Sequence, residues 1–227
     1  SMRYMHMVLS DEDIPDDAGI AIEYNIPQTS KRVDFIISGY DSAQKPNAVI
    51  VELKQWEKVE KIAGSDALVR TFTGGANRPV VHPSYQAWSY ASLIRDYNQN
   101  VQDGNISLFP CACLHNYPLK PNDPLVDTQY QTYIDEAPVF AQSDTYKLRA
   151  FIKAFVHSGD NKEILYEISD GKIRPSKSLQ NAIASMLKGN KEFIMIDDQK
   201  VAYEGILSTA TKCMADEKKR TIIVEGG

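Results

Sequence analysis

The chain has 227 residues, 43% of them hydrophobic, and a formal net charge of −5 at pH 7. Its length predicts one sizeable domain with an appendage, and its hydrophobic fraction is sufficient for a packed core. The sequence contains neither a run of about 18 apolar residues nor a charged start followed by an apolar stretch. We therefore expect a cytoplasmic protein that spans no membrane, with its three cysteines as reduced thiols rather than zinc ligands.

The two parts of the chain differ in charge. Residues 1–140 contain 11 lysines and arginines and 18 aspartates and glutamates, whereas residues 141–227 contain 14 and 12. A domain that binds nucleic acid usually carries a basic face, because contacts with phosphate dominate the affinity. The net charge of −7 on the first part therefore argues against strong nucleic-acid binding by that part alone.

Hydrophobic patterning predicts a helix and three strands at the start of the chain. We expect the helix at residues 2–9, an edge strand at residues 21–24, and two apolar strands that contain Asp34 and Glu52-Leu53-Lys54. Alternate side chains of a strand point to the same face. Glu52 and Lys54 therefore share a face, Leu53 points into the core, and Asp34 on the neighbouring strand can face Glu52.

Two carboxylates and an ammonium on neighbouring strands are suited to a divalent-metal site. Mg²⁺ prefers hard oxygen ligands and is often held by one or two carboxylates together with substrate phosphate. The sequence predicts Mg²⁺ or Mn²⁺ bound by Asp34, Glu52 and the backbone carbonyl of Leu53, where it would activate a water. Lys54 would orient that water or offset negative charge on the phosphorane. The alternative is an ordinary buried strand that ends in a surface salt bridge.

The middle of the chain is predicted to lead into a helix with two polar side chains on one face. Residues 57–72 are expected to be helical or partly ordered, and residues 73–79 to form a loop. A helix then begins at Pro83, a residue suited to the first turn. Gln86 and Tyr90 share one face of this helix because they are four residues apart. The alternative for this pair is a half-buried helix face.

The remaining elements complete an α/β pattern. Further strands are predicted at residues 106–115 and 139–141, and the first of these is reached through the Gln86 helix, which predicts a parallel crossover. Helices are predicted at residues 146–156, 179–187 and 201–215. The whole pattern predicts an α/β protein with a mixed central sheet flanked by helices, followed by a helical connector.

Three motifs occur in the order Asp34, Glu52-Leu53-Lys54 and Gln86-x-x-x-Tyr90. This order resembles that of the restriction-endonuclease-like superfamily, the P-D-(D/E)-x-K nucleases, and the helix motif is similar to the branch that includes RecB-type exonuclease domains. The resemblance covers about residues 20–115. It implies that the aspartate and the glutamate bind metal, that the lysine assists catalysis, and that the helix glutamine and tyrosine support the site or touch substrate.

Two features depart from the pattern of this superfamily. Arg32-Val33 stands where a proline usually precedes the aspartate, and the first helix lacks the acidic residue that many members carry there. Glu23 on the first strand is a substitute candidate for that missing metal ligand. The alternative for Glu23 is a solvent-facing residue of an edge strand.

The C-terminal segment carries a further motif. Residues 222–224 are β-branched and run into Gly226 and Gly227, as at the start of a Walker A phosphate loop, which requires G-x-x-x-x-G-K-[S/T]. Gly226 would be the first glycine of that loop. Gln199 would contact adenine, as in the segment before the phosphate loop of helicase-type ATPases. The alternative is a natural C-terminal strand with a frayed end.

Over nearly its whole length the chain resembles bacterial proteins that join an N-terminal nuclease-like domain to a helicase-type P-loop domain, described as Schlafen-related DNA/RNA helicases. The matching segments are residues 14–17, 26–35, 51–56, 82–87 and 222–227. The resemblance implies a nuclease-like domain at residues 1–140, a helical connector at 141–190 and the start of a P-loop ATPase domain at 191–227. The partners would be DNA or RNA and the ATPase domain in cis, and ATP would bind only to the longer natural chain.

The motifs together predict metal-dependent hydrolysis of phosphodiester bonds in DNA or RNA. One alternative is a catalytically silent nuclease-like module that binds nucleic acid, and another is a regulator of the attached ATPase. The intact set of Asp34, Glu52, Lys54 and Gln86 favours the enzyme. The acidic first part and the missing helix acid favour the alternatives.

Overall fold

The computed structural model describes residues 2–10, 12, 14–27, 29–187 and 194–225, without the side chains of residues 178 and 185–187. The helices are α1 (Met2–Leu9), α2 (Pro83–Tyr97), α3 (Gln99–Asp103), α4 (Gln131–Glu136), α5 (Thr145–Phe155), α6 (Glu163–Asp170), α7 (Lys177–Leu187) and α8 (Asp198–Asp216). The strands are β1 (Gly19–Asn25), β2 (Arg32–Tyr40), β3 (Pro46–Leu53), β4 (Glu60–Lys61), β5 (Leu68–Thr73), β6 (Ala76–Val81), β7 (Ser107–Leu114) and β8 (Val139–Ala141). Two short 3₁₀ turns, Pro124–Val126 and Thr128–Tyr130, precede α4.

The larger of two sheets forms the centre of the protein. Its strand order is β1-β2-β3-β7-β8, in which β1, β2 and β3 are antiparallel and β7 and β8 run parallel to β3. The chain between β3 and β7 includes α2, as a parallel connection needs a long crossover. β3 lies in the middle and is buried along almost its whole length, as expected for a strand covered on both faces. The prediction of a mixed central sheet flanked by helices is confirmed.

Helices cover both faces of this sheet, and the alternation of side chains along the strands divides the core in two. On one face, Phe35 packs in a cluster with α1 and α5. On the other face, Ile36 and Ile50 pack in a cluster with α2 and α6. Asp34 and Glu52 lie two residues from Ile36 and Ile50, respectively, so both carboxylates point to the face that α2 covers.

Two helices of the predicted connector, residues 141–190, take part in this core. Leu148 and Ile152 of α5 are fully buried on one face of the sheet, and Ile164 and Ile168 of α6 are buried on the other. The hydrophobic core of the central sheet therefore extends past residue 140, where the resemblance placed a domain boundary.

A second, smaller sheet stands where a helix and a loop were expected at residues 57–79. Its antiparallel order is β4-β5-β6, and Gly74 and Gly75 join β5 to β6. Both glycines have positive φ, 56° and 82°, as a two-residue hairpin turn requires. The helix and loop predictions are wrong because they missed the Gly-Gly pair, which marks a hairpin between two short strands.

The C-terminal region consists of α8 and an extended tail. The helix predicted at residues 201–215 is confirmed, whereas residues 222–224 form no strand with any part of the chain that the structure describes. Ile223 is 81% exposed. A strand needs a neighbour for its backbone hydrogen bonds, so the prediction of a strand here is wrong. None of the described helices is both long and apolar enough to cross a lipid bilayer.

Candidate active site

Asp34 and Glu52 meet where β2 begins and β3 ends. Phe35 lies opposite Val51 in the antiparallel register, so the next pair outward is Asp34 and Glu52. Asp34 Oδ2 accepts a hydrogen bond from the backbone N–H of Leu53 at 2.8 Å. This bond fixes the Asp34 carboxylate across the gap between the two strands.

The Glu52 carboxylate is buried beside a cation. The residue is 2% exposed, and its Oε1 accepts a hydrogen bond from Lys54 Nζ at 2.6 Å. Its Oε2 is also buried and has no hydrogen-bond partner among the described residues. Burial raises the pKa of Glu52 to about 7 against the opposing effect of Lys54, and the carboxylates of Asp34 and Asp197 raise it further. A buried carboxylate oxygen without a partner is costly, and a proton or a divalent cation at Oε2 would relieve that cost.

Lys54 is held at this site as an ammonium. Burial lowers its pKa, but the Glu52 carboxylate outweighs burial, and the resulting pKa lies above the ordinary value of lysine. The Lys54 Nζ atom also lies 5.7 Å from the centre of the Trp56 ring, within the range of a cation–π interaction. Lys54 therefore supplies a fixed positive charge and does not accept a proton near neutral pH.

The buried imidazole of His82 fixes the start of α2. Its Nδ1 accepts a hydrogen bond from the backbone N–H of Ser84 at 3.1 Å, and its Nε2 donates to the carbonyl of Leu125 at 2.8 Å. Because Nδ1 is an acceptor, the ring is neutral with its proton on Nε2. Burial lowers the pKa of His82 to about 4. His82 thus positions the helix and stays uncharged at neutral pH.

Gln86 and Tyr90 form a hydrogen-bonded pair on α2, as their spacing predicts. Gln86 Nε2 donates to the Tyr90 hydroxyl at 3.0 Å, and that hydroxyl donates to Asp197 Oδ2 at 2.6 Å. Burial, followed by the hydrogen bond to Asp197, raises the pKa of Tyr90. Tyr90 therefore acts as a neutral donor, and Gln86 acts through Tyr90.

The structure adds two residues that the sequence did not point to. Asp197, at the start of α8, accepts the hydrogen bond from Tyr90 and pairs with Lys31, whose Nζ lies 2.9 Å from its Oδ2. Asp197 is separated from Tyr90 by 107 residues. The local sequence around Asp197 predicts a helix start, and no motif signals this contact.

Two predicted residues that the structure describes are not brought to the site. Glu23 is exposed and pairs with Arg32, its Oε2 lying 3.0 Å from the Arg32 Nη1, so its carboxylate is committed to a surface ion pair. Gln199 is exposed, and its Oε1 accepts a hydrogen bond from the backbone N–H of Ile196 at 3.2 Å. Gly226, predicted as part of an ATP site, lies outside the described residues.

Asp34 and Glu52 are the residues that fit a divalent metal best. Their donors are hard oxygens, which Mg²⁺ prefers, and Glu52 contributes a buried oxygen that has no hydrogen-bond partner in the described part of the chain. Within the described ranges, no group of three or more His, Cys, Asp or Glu side chains could hold a metal ion by itself. Such a metal would therefore depend on water, the Leu53 carbonyl and substrate phosphate for its remaining ligands.

Comparison of the chain with protein-family models, with curated proteins and with solved structures gives no match.

Proposed function

We propose that this protein is a metal-dependent nuclease that hydrolyses phosphodiester bonds of DNA or RNA with Mg²⁺ or Mn²⁺. The observation that carries the proposal is the buried Glu52, which lies next to Asp34. One of its carboxylate oxygens accepts a hydrogen bond from Lys54, and the other has no partner among the residues that the structure describes. The mixed sheet, with both carboxylates on the face that α2 covers, supports a restriction-endonuclease-like fold. A nuclease needs this combination of anionic metal ligands and a fixed cation.

Each side chain has a distinct role in the proposed reaction. Asp34 and Glu52 would hold the metal, which when bound lowers the pKa of a water ligand and polarises the phosphoryl oxygen. Lys54 places its ammonium against the negative charge that develops on the phosphorus oxygens. Gln86 donates to the Tyr90 hydroxyl, and that hydroxyl positions the Asp197 carboxylate beside the site.

A second candidate function is a catalytically silent module that binds nucleic acid or regulates an attached ATPase. The observation in favour of the regulatory role is charge, because residues 1–140 carry a net −7, which opposes binding of a polyanion. The ATPase domain in cis and its ATP site belong to this wider proposal.

A cleavage panel tests the proposed function. Single- and double-stranded DNA and RNA are incubated with Mg²⁺, Mn²⁺ or EDTA and with wild-type protein, Asp34→Ala or Glu23→Ala. We expect metal-dependent cleavage by the wild type and by the Glu23→Ala control, whose acid is on the surface, and a loss of at least about 100-fold in Asp34→Ala. Equal cleavage by Asp34→Ala would place the activity elsewhere, and a folded wild type that cuts no substrate would favour the silent module.

A further inference from the structure

Asp197 immediately precedes α8, but its side chain does not cap the helix. An aspartate at this position normally accepts a hydrogen bond from a backbone N–H in the first turn of its own helix. The Asp197 side chain makes no such bond, and its backbone has φ 43° and ψ −112°, a conformation that is costly for a residue other than glycine. Capping of α8 therefore does not explain the position of the Asp197 side chain.

The Asp197 carboxylate instead occupies an anion-binding position next to the candidate site. Its Oδ2 lies 2.6 Å from the Tyr90 hydroxyl and 2.9 Å from Lys31 Nζ. Its Oδ1 is buried without a hydrogen-bond partner among the described residues.

The backbone of Lys31 is held by two hydrogen bonds. Its backbone N–H donates to Thr29 Oγ1 at 3.0 Å, and its carbonyl accepts a hydrogen bond from the backbone N–H of Ile26 at 3.0 Å. The Lys31 side chain is 27% exposed and that of Asp197 is 13% exposed. The backbone of Lys31 is therefore held in place, and its side chain is still partly open to solvent.

The segment that carries Asp197 lies across α2. The Tyr85 hydroxyl donates to the carbonyl of Met195 at 2.5 Å, and Ile196 packs against the cluster that contains Tyr90. Lys200 pairs with Asp66 at 3.0 Å, and Asp66 is well exposed. The costly backbone of Asp197 reduces the free energy that is needed to move its carboxylate away from Tyr90 and Lys31.

We propose that Lys31 and Tyr90 form a subsite for a backbone phosphate of nucleic acid, and that Asp197 occupies this subsite as an intramolecular competitor. The proposal rests on the proposed function, since it takes nucleic acid as the ligand. A carboxylate and a phosphodiester both present anionic oxygens, and an ammonium and a phenolic hydroxyl donate to either. Removing the charge of Asp197 frees the subsite and also removes a like charge from the path of the strand.

Binding of fluorescently labelled single-stranded DNA and RNA, measured by anisotropy in EDTA, tests the subsite without any cleavage. Asp197→Asn keeps the shape of the side chain, and asparagine tolerates positive φ. We expect Asp197→Asn to bind about tenfold more tightly than the wild type. The matched control, Asp198→Asn, changes an exposed neighbouring carboxylate and is expected to bind like the wild type.

Lys31→Ala supplies the second arm of the test. In the Asp197→Asn background it is expected to remove the gain in affinity and to reduce the slope of log Kd against log salt by about 0.7, the value for one phosphate contact on a single strand. Equal binding by Asp197→Asn and Asp198→Asn, or a double variant that binds as tightly as Asp197→Asn, would overturn the proposal.

Competition with inorganic phosphate and ATP identifies the source of the phosphate. We expect the oligonucleotide to resist both at equal phosphate concentration, and displacement by either would overturn the assignment to a nucleic-acid backbone. The outcome is separable from that of the nuclease proposal. Tight binding by Asp197→Asn without any metal-dependent cleavage would refute only the nuclease, whereas cleavage by the wild type without an effect of Asp197→Asn would refute only the subsite.

Discussion

Glu52→Gln is expected to abolish metal-dependent cleavage and to change how stability depends on pH. Glutamine keeps the size of the side chain but cannot supply the anionic oxygen that a divalent metal prefers. The cleavage rate should therefore fall by at least about 100-fold. Glu57→Gln, which changes an exposed glutamate beyond the end of β3, is the matched control and should cut like the wild type.

The pH effect follows from the raised pKa of Glu52. Its value of about 7 in the folded protein lies above the ordinary 4.5, so this group contributes stability below pH 4.5 that is lost as the pH rises through 7. The difference corresponds to about 3 kcal/mol. The free energy of unfolding of Glu52→Gln minus that of the wild type should increase by about this amount between pH 4.5 and pH 8. Urea denaturation in EDTA measures it, and a difference that does not change with pH would contradict the burial argument.

His82→Ala is expected to be the most destabilising single change near the candidate site. It leaves the Ser84 N–H and the Leu125 carbonyl without their partner and removes a fully buried ring that stacks on Tyr130 at 4.7 Å. We expect a loss of about 3–5 kcal/mol in the free energy of unfolding at pH 8, measured by urea denaturation. The control is His157→Ala, because the His157 side chain is exposed.

The destabilisation by His82→Ala should shrink on acidification. The pKa of His82 is about 4 in the folded protein against an ordinary 6.5, so its contribution is complete above pH 6.5 and is lost as the pH falls through 4. The difference in the free energy of unfolding between wild type and His82→Ala should decrease by about 3 kcal/mol over this range. Equal gaps at pH 4 and pH 8 would show that the imidazole is not held neutral by burial.

Glu52 and His82 oppose each other over the same pH range. As the pH rises from about 4 to 7, the wild type gains stability through the histidine and loses it through the glutamate. Their contributions nearly offset, so each single variant exposes the pH dependence of the other residue. The two residues have different roles, since His82 fixes the start of α2 and Glu52 belongs to the candidate metal site.

Short-range periodicity is the part of this structure that the sequence predicts well. Glu52 and Lys54 share a face because side chains alternate along a strand, and Gln86 and Tyr90 meet because they are four residues apart on a helix. The parallel pairing of β3 with β7 follows from the long connection through α2. These rules act within one element or one crossover, so a single sequence is sufficient to apply them.

Long-range contacts are the part that the sequence could not predict. Asp197 reaches Tyr90 across 107 residues, and no local pattern specifies which helix start will meet the face of which other helix. The sequence left two alternatives for Glu23, a metal ligand and a solvent-facing residue of an edge strand. In the structure Glu23 forms a surface ion pair with Arg32. The hairpin at Gly74 and Gly75 has a local signal, the Gly-Gly pair, which the prediction of a loop at residues 73–79 did not use.

Binding of Mn²⁺, followed by the electron paramagnetic resonance signal of the free ion, is the direct test of a metal site formed by Asp34 and Glu52. We expect one Mn²⁺ per chain in the wild type and in Glu23→Gln, and at least about tenfold weaker binding in Asp34→Asn, because the amide removes an anionic ligand. Equal binding by Asp34→Asn and the wild type would contradict the claim that Asp34 and Glu52 form the metal site. A wild type that binds no Mn²⁺, even with oligonucleotide present, would contradict it as well.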